Sequence, residues 1–240
     1  MSNRCCPTDI LPVSTTYKPQ YDQIYVAGSG SGATRGLVFI PDIFGPHPNA
    51  YQVADRLANR GFLVVMPDFF HGSHWTLETF PPVNGFDSPE WTGFLAKLTY
   101  DTVKPIVQKG IDILRSLGAT SIASVGFCWG GGIAIQALTD GLVLAAASPH
   151  PSFLTTDIMS KIQGPVCILP TRDDGELLDM KEAAESTGHK VVYQYFDDVH
   201  HGFCSARANF EDELNRTRAN QALDIMTKFF DEAFASSSSP

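Results

Sequence analysis

The chain has 240 residues, a formal net charge of −9, 43% hydrophobic and 18% charged residues, a composition ordinary for a globular protein. The acidic balance argues against nucleic acid or an anionic membrane as the main partner, and no apolar run reaches the roughly 18 residues needed to span a bilayer. Five cysteines (Cys5, Cys6, Cys128, Cys167, Cys204) are scattered and odd in number, which fits a reducing, cytoplasmic setting better than a disulfide framework.

Residues 1–20 read as an extension. Met1–Pro7 has one arginine and no apolar core, unlike a secretory leader. Cys5-Cys6 has no histidine or second cysteine pair near it in sequence, so no metal site is expected. Tyr21–Ala27 reads as a strand followed by the flexible turn GSGSG, and Gly36–Asp42 as an apolar strand ending in a loop. Asn49–Gly61 has an Asn cap, helically spaced apolar residues and a closing glycine, and Phe62–Asp68 is the next strand. His71–Trp91 is too long for a plain connection, which predicts a lid over the site.

Helical sequence follows over Pro89–Leu117, with a break expected before Pro105. Ser121–Phe127 reads as a strand, Trp129–Leu138 as a helix, and Leu142–Ser148 and Gly164–Pro170 as strands. Leu177–Gly188 is then a helix, Lys190–Phe196 a strand and Asn209–Phe234 a long helix. Ser236–Pro240 is a low-complexity tail expected to be disordered. Apolar strands alternating with helices predict an α/β fold, a mostly parallel sheet covered by helices on both faces, as one domain over 21–235.

Within this pattern, Gly126-Phe127-Cys128-Trp129-Gly130 matches G-x-nucleophile-x-G, the signature of a sharp strand-to-helix turn. The helix that follows offers backbone N–H groups and the positive end of its dipole, which favour a thiolate and a developing oxyanion. A cysteine nucleophile needs a base, and the base an orienting acid. Both are expected further along, after later strands: Asp173 and Asp174 follow VCIL, and His200 and His201 follow the last strand. Cys167, inside a strand, and Cys204, without an elbow, read as packing residues.

Four stretches, IPDIFG (40–45), VVMPDFFHG (64–72), VGFCWGG (125–131) and HHGF (200–203), resemble the dienelactone hydrolase family, a cysteine-based branch of the α/β-hydrolases. The resemblance covers roughly residues 20–235. It implies a single-domain α/β-hydrolase fold with Cys128 as nucleophile, His201 rather than His200 as base, and Asp174, with Asp173 as close rival, as the acid. Its oxyanion hole would combine the N–H groups of Trp129 and Ile43. Where this chain has Asp42 the family carries a glutamate credited with controlling the thiol's protonation, so Asp42 becomes the candidate support for the nucleophile.

The implied activity is cofactor-independent hydrolysis of a small lactone, ester or thioester, by a monomer or homodimer. Two rival readings remain. One is an isomerase or pathway accessory protein on the same fold. The other is a thiol redox sensor pairing Cys128 with Cys204.

Overall fold

The computed structural model describes residues 24–28, 30 and 32–237. Cys5, Cys6 and the 1–20 extension lie outside the described residues. Seven strands form one sheet: β1 (Tyr25–Ala27), β2 (Arg35–Ile40), β3 (Leu63–Met66), β4 (Ser121–Gly126), β5 (Ala146–Pro149), β6 (Val166–Leu169) and β7 (Val191–Tyr193). Their order is β1-β3-β2-β4-β5-β6-β7, with β1 antiparallel to β3 and every other pairing parallel.

The helices are α1 (Pro48–Ala58), α2 (Pro89–Ala96), α3 (Tyr100–Ser116), α4 (Trp129–Thr139), α5 (Thr156–Met159), α6 (Leu178–Glu185) and α7 (Glu213–Ser237). Strand β2 shows how they are divided between the faces. Successive side chains point to opposite sides of a sheet, so Val38 and Ile40 enter one core while Leu37 and Phe39 enter the other. The first core takes the buried residues of α3, α4, α5 and α6. The second takes those of α1 and α7. The sheet is therefore covered on both sides, as its unbroken apolar strands require.

Three boundaries differ from the sequence reading. The break in the 89–117 helical stretch lies at 97–99, and Pro105 stands inside α3. Proline removes one backbone hydrogen bond, but Val103, Val107, Ile111 and Leu114 bury one stripe of α3 and carry the helix past it. The break itself is fixed from outside, because the Leu98 carbonyl accepts from Trp129 Nε1 at 3.1 Å. The last helix starts at Glu213 and continues through Ser236 and Ser237, residues expected to be disordered. No helix among the described residues is long and apolar enough to cross a membrane.

Phe39 is fully buried and stacks on Phe127, next to the elbow, with ring centroids 4.7 Å apart. Phe39→Ala should cost about 3–5 kcal/mol. The expected signature is a lower denaturant midpoint with an unchanged slope; a loss below about 1 kcal/mol would contradict this packing.

Candidate active site

Cys128 stands between β4 and α4 with φ 55° and ψ −120°, a backbone conformation that L side chains rarely adopt and that costs on the order of 1–3 kcal/mol. The flanking glycines make the turn possible. A Cβ on Gly126 would lie 2.0 Å from the Gly130 carbonyl oxygen, and one on Gly130 would lie 2.3 Å from that of Ile40. Ser152 closes the other side: its N–H donates to the Cys128 carbonyl at 2.9 Å, and its Oγ lies 3.7 Å from the Cys128 sulfur.

The acid comes from the turn after β6. Asp174 Oδ1 meets His201 Nδ1 at 2.5 Å, and Oδ2 accepts from Thr171 N–H at 2.8 Å and Thr171 Oγ1 at 2.7 Å. Both carboxylate oxygens are thus satisfied, and the one on the ring fixes which face of the imidazole turns away. Asp173 holds a different part of the same residue: its Oδ2 accepts from the His201 backbone N–H at 3.0 Å, while Arg172 lies 3.6 Å from its Oδ1. It does not cap α6, whose N-cap is Leu177.

His200 bonds its own neighbour instead, its Nδ1 lying 2.9 Å from the His201 carbonyl, and burial pushes its pKa down. Burial also works against charge on His201. The Cys128 sulfur and the Asp174 hydrogen bond outweigh it and push the imidazole up to about 10. The structure therefore brings Cys128, His201 and Asp174 together at the carboxyl ends of β4, β6 and β7.

The backbone N–H groups of Trp129 and Ile43 donate to no acceptor among the described residues. They belong to the turn after the candidate nucleophile and to the loop after β2. Asp42 is buried in that second loop, with Oδ1 accepting from Phe44 N–H at 3.0 Å and Oδ2 accepting from Ser205 Oγ at 2.5 Å and Ala206 N–H at 3.1 Å. No hydrogen bond joins it to Cys128. The direct support for the thiol expected of Asp42 is replaced by a tie between the Ile43 loop and the segment after His201.

The segment expected to form a lid packs beside this loop. Trp75 N–H donates to the Ile43 carbonyl at 3.0 Å. Phe80 meets Phe44 at 5.4 Å between centroids, and Phe70 lies between Trp129, at 5.2 Å, and Phe94, at 6.1 Å. Trp75 and Trp91 join the same cluster.

Cys167 and Cys204 are fully buried, and burial pushes both thiols up. Among the described residues no group of three or more His, Cys, Asp or Glu side chains could hold a metal ion. Sequence reasoning missed Ser152, Thr171 and His150, whose ring lies 4.9 Å from that of His201. The one available signal was position, since all three follow strand ends on the side where ligands bind in open α/β sheets.

A model of the dienelactone hydrolase family matches residues 23–234. An uncharacterised AIM2 family protein of Schizosaccharomyces pombe is 30% identical over 246 residues, covering 96% of this chain and 99% of the relative. The hydrolase PyvD of Aspergillus violaceofuscus is 31% identical over 216 residues, 87% of this chain and 79% of the relative. Among solved structures, a putative dienelactone hydrolase from Klebsiella pneumoniae superposes with a TM-score of 0.64 at 18% identity, covering 83% of this chain and 87% of that one. That likeness extends to the α/β-hydrolase fold.

Gly130→Ala places a methyl group against two backbone carbonyls, Ile40 at 2.3 Å and Pro41 at 2.6 Å, neither of which can rotate away. It should lower stability by about 3 kcal/mol or more. Retained wild-type stability in thermal unfolding would show that the elbow relaxes freely.

Proposed function

Because the chain belongs to the dienelactone hydrolase family, we propose that it hydrolyses a small ester, lactone or thioester through an acyl-cysteine. The observation that carries this reading is the line from Asp174 through His201 to a cysteine on a strained elbow. His201, held by Asp174 at Nδ1, takes the thiol proton with its other ring nitrogen. The sulfur attacks the carbonyl carbon, and the carbonyl oxygen becomes an oxyanion between the Trp129 and Ile43 N–H groups. One such donor is worth about 3–4 kcal/mol in the transition state. The C–O or C–S bond then breaks, the leaving group takes the proton from His201, and the acyl group stays on sulfur. A water deprotonated by His201 releases the acid and regenerates the thiol.

The nucleophile's chemistry narrows the substrate. Sulfur leaves a tetrahedral intermediate more readily than an alkoxide does. The reaction therefore goes forward with an enol, a phenol or a thiol as leaving group, and poorly with a plain alkyl ester. Burial of Cys204, with its thiol pushed up, weighs against a role for it as resolving partner in a redox sensor. Asp42 acts at a distance, by fixing the Ile43 loop against the histidine loop.

A panel of enol-lactones, aryl esters and thioesters, read by turnover and by intact mass, tests the proposal. One acyl group should appear on Cys128, and Cys128→Ala should fold normally yet lose turnover and labelling. Turnover near wild type in Cys128→Ala would remove the nucleophile.

The acids give a second test. The imidazolium form of His201 is held far above the pH at which a free histidine loses its proton, and is lost as pH rises through about 10. Asp174→Asn removes a partner of that cation, so the alkaline limb of kcat/KM should move to lower pH and turnover should fall by orders of magnitude. Asp173→Asn, which weakens one backbone contact, should change turnover a few-fold. A crippled Asp173→Asn beside an active Asp174→Asn would reverse the two roles.

A further inference from the structure

His150 stands beside the site and has no part in the proposed chemistry. It is fully buried, and neither ring nitrogen has a hydrogen-bond partner among the described residues. Buried polar groups are almost always paired, so an imidazole in this state needs a reason. Hydrogen bonding does not supply one, but its surroundings do.

The ring meets that of His201 edge to face, with centroids 4.9 Å apart and planes at 64°. On its other sides lie Phe127, at 5.8 Å, and Phe203, at 5.9 Å. Phe127 is the residue before the nucleophile, and Phe203 follows His201 by two positions. One ring thus touches the strand end that carries the thiol, the loop that carries the base, and the base itself.

The backbone beneath it is equally constrained. His150 adopts φ 38°, its N–H donates to the Leu169 carbonyl at the end of β6 at 2.8 Å, and the next two residues are stitched to Cys128. Histidine enters this left-handed region more readily than most bulky side chains. That accounts for its presence where a hydrogen bond does not. Burial and the neighbouring His201, His200 and Arg207 hold its pKa well below the usual histidine value, so the ring stays neutral while His201 gains and loses its proton.

Resting on the proposed function, we infer that His150 is a positioning residue whose ring wedges the His201 imidazole into line between Asp174 and Cys128. His201 is held by Asp174 at Nδ1 and faces Cys128 with its other nitrogen, but contacts at the two nitrogens do not stop the ring from tilting about the line between them. The packed edge of a second ring does. This assigns to His150 the alignment of the proton transfer and no contact with substrate.

Three variants test it: His150→Ala, His150→Phe and His150→Gln, with p-nitrophenyl acetate as the substrate. Misalignment on the scale of an ångström costs about 100-fold in rate, so His150→Ala and His150→Gln should lower kcat by about 10- to 100-fold and leave KM within a few-fold. His150→Phe restores a ring and should recover most of kcat. Thermal midpoints are measured alongside, because a purely structural role would lower stability in step with activity and would not let Phe restore kcat selectively.

Acylation of Cys128, followed by intact mass, separates this inference from the one beneath it. A wild-type protein that turns over ester but is never acylated overturns the nucleophile and this role with it. Acylation as fast in His150→Ala as in wild type overturns the role of His150 alone. So does a His150→Phe variant that folds but is as slow as His150→Ala, or a His150→Gln variant at full rate.

Discussion

At the elbow two backbones pass so close that no side chain fits between them. The end of β2 runs against the first turn of α4, and the carbonyls of Ile40 and Pro41 occupy the space a Cβ on Gly130 would need. That approach makes the turn after β4 sharp enough to leave Cys128 at φ 55°. The same contact sets the first turn of α4 beside the loop after β2, so the free N–H groups of Trp129 and Ile43 sit on two segments already locked together. The proposed nucleophile and oxyanion donors thus depend on one steric constraint, and the strain at Cys128 is borne by two large cores, one on each side of the sheet.

The other half of the site is held by carboxylates, each spending its two oxygens on different segments. Asp174 joins its own turn, through Thr171, to the ring of His201. Asp173, its neighbour, holds the backbone of the same histidine. Asp42 joins the loop after β2 to Ser205 and Ala206 beyond that histidine. Loops are usually the more mobile part of a fold, yet here each loop is tied to another by an acid, Asp42 buried, Asp174 half-buried and Asp173 exposed. His201 is positioned by polar bonds and Cys128 by sterics.

The parts readable from sequence are those with an absolute local requirement. Glycine at 126 and 130 is demanded by the turn, and an unbroken apolar run such as VCIL is demanded by a strand buried on both faces. Order along the chain placed an acid and a histidine after later strands. What sequence could not carry depends on partners distant in the chain. Nothing local distinguishes the two acids, because one faces an imidazole ring and the other a backbone N–H 28 positions away. Nothing local marks His150, a plain residue in SPHPS whose ring meets a histidine from another loop. Pro105 misled for the same reason: its cost is local, and the packing of α3 on the sheet that offsets it is not. Resemblance points Asp42 toward the thiol, whereas the bonds it makes to Ser205 and Ala206 depend on residues far along the chain.

The aromatic cluster beside the Ile43 loop has a spectroscopic consequence. The protein has three tryptophans, and all three, Trp75, Trp91 and Trp129, belong to the chain of ring contacts that runs through Phe70 and Phe94. Trp129 follows Cys128 directly in the chain, and Trp75 is bonded to the Ile43 loop. Intrinsic emission excited at the indole band therefore arises from this one corner of the molecule and from nowhere else in the fold. A ligand entering beside Cys128 changes the surroundings of Trp129, and a shift of the 71–96 segment those of Trp75 and Trp91, so the unlabelled protein carries its own optical probes of this corner.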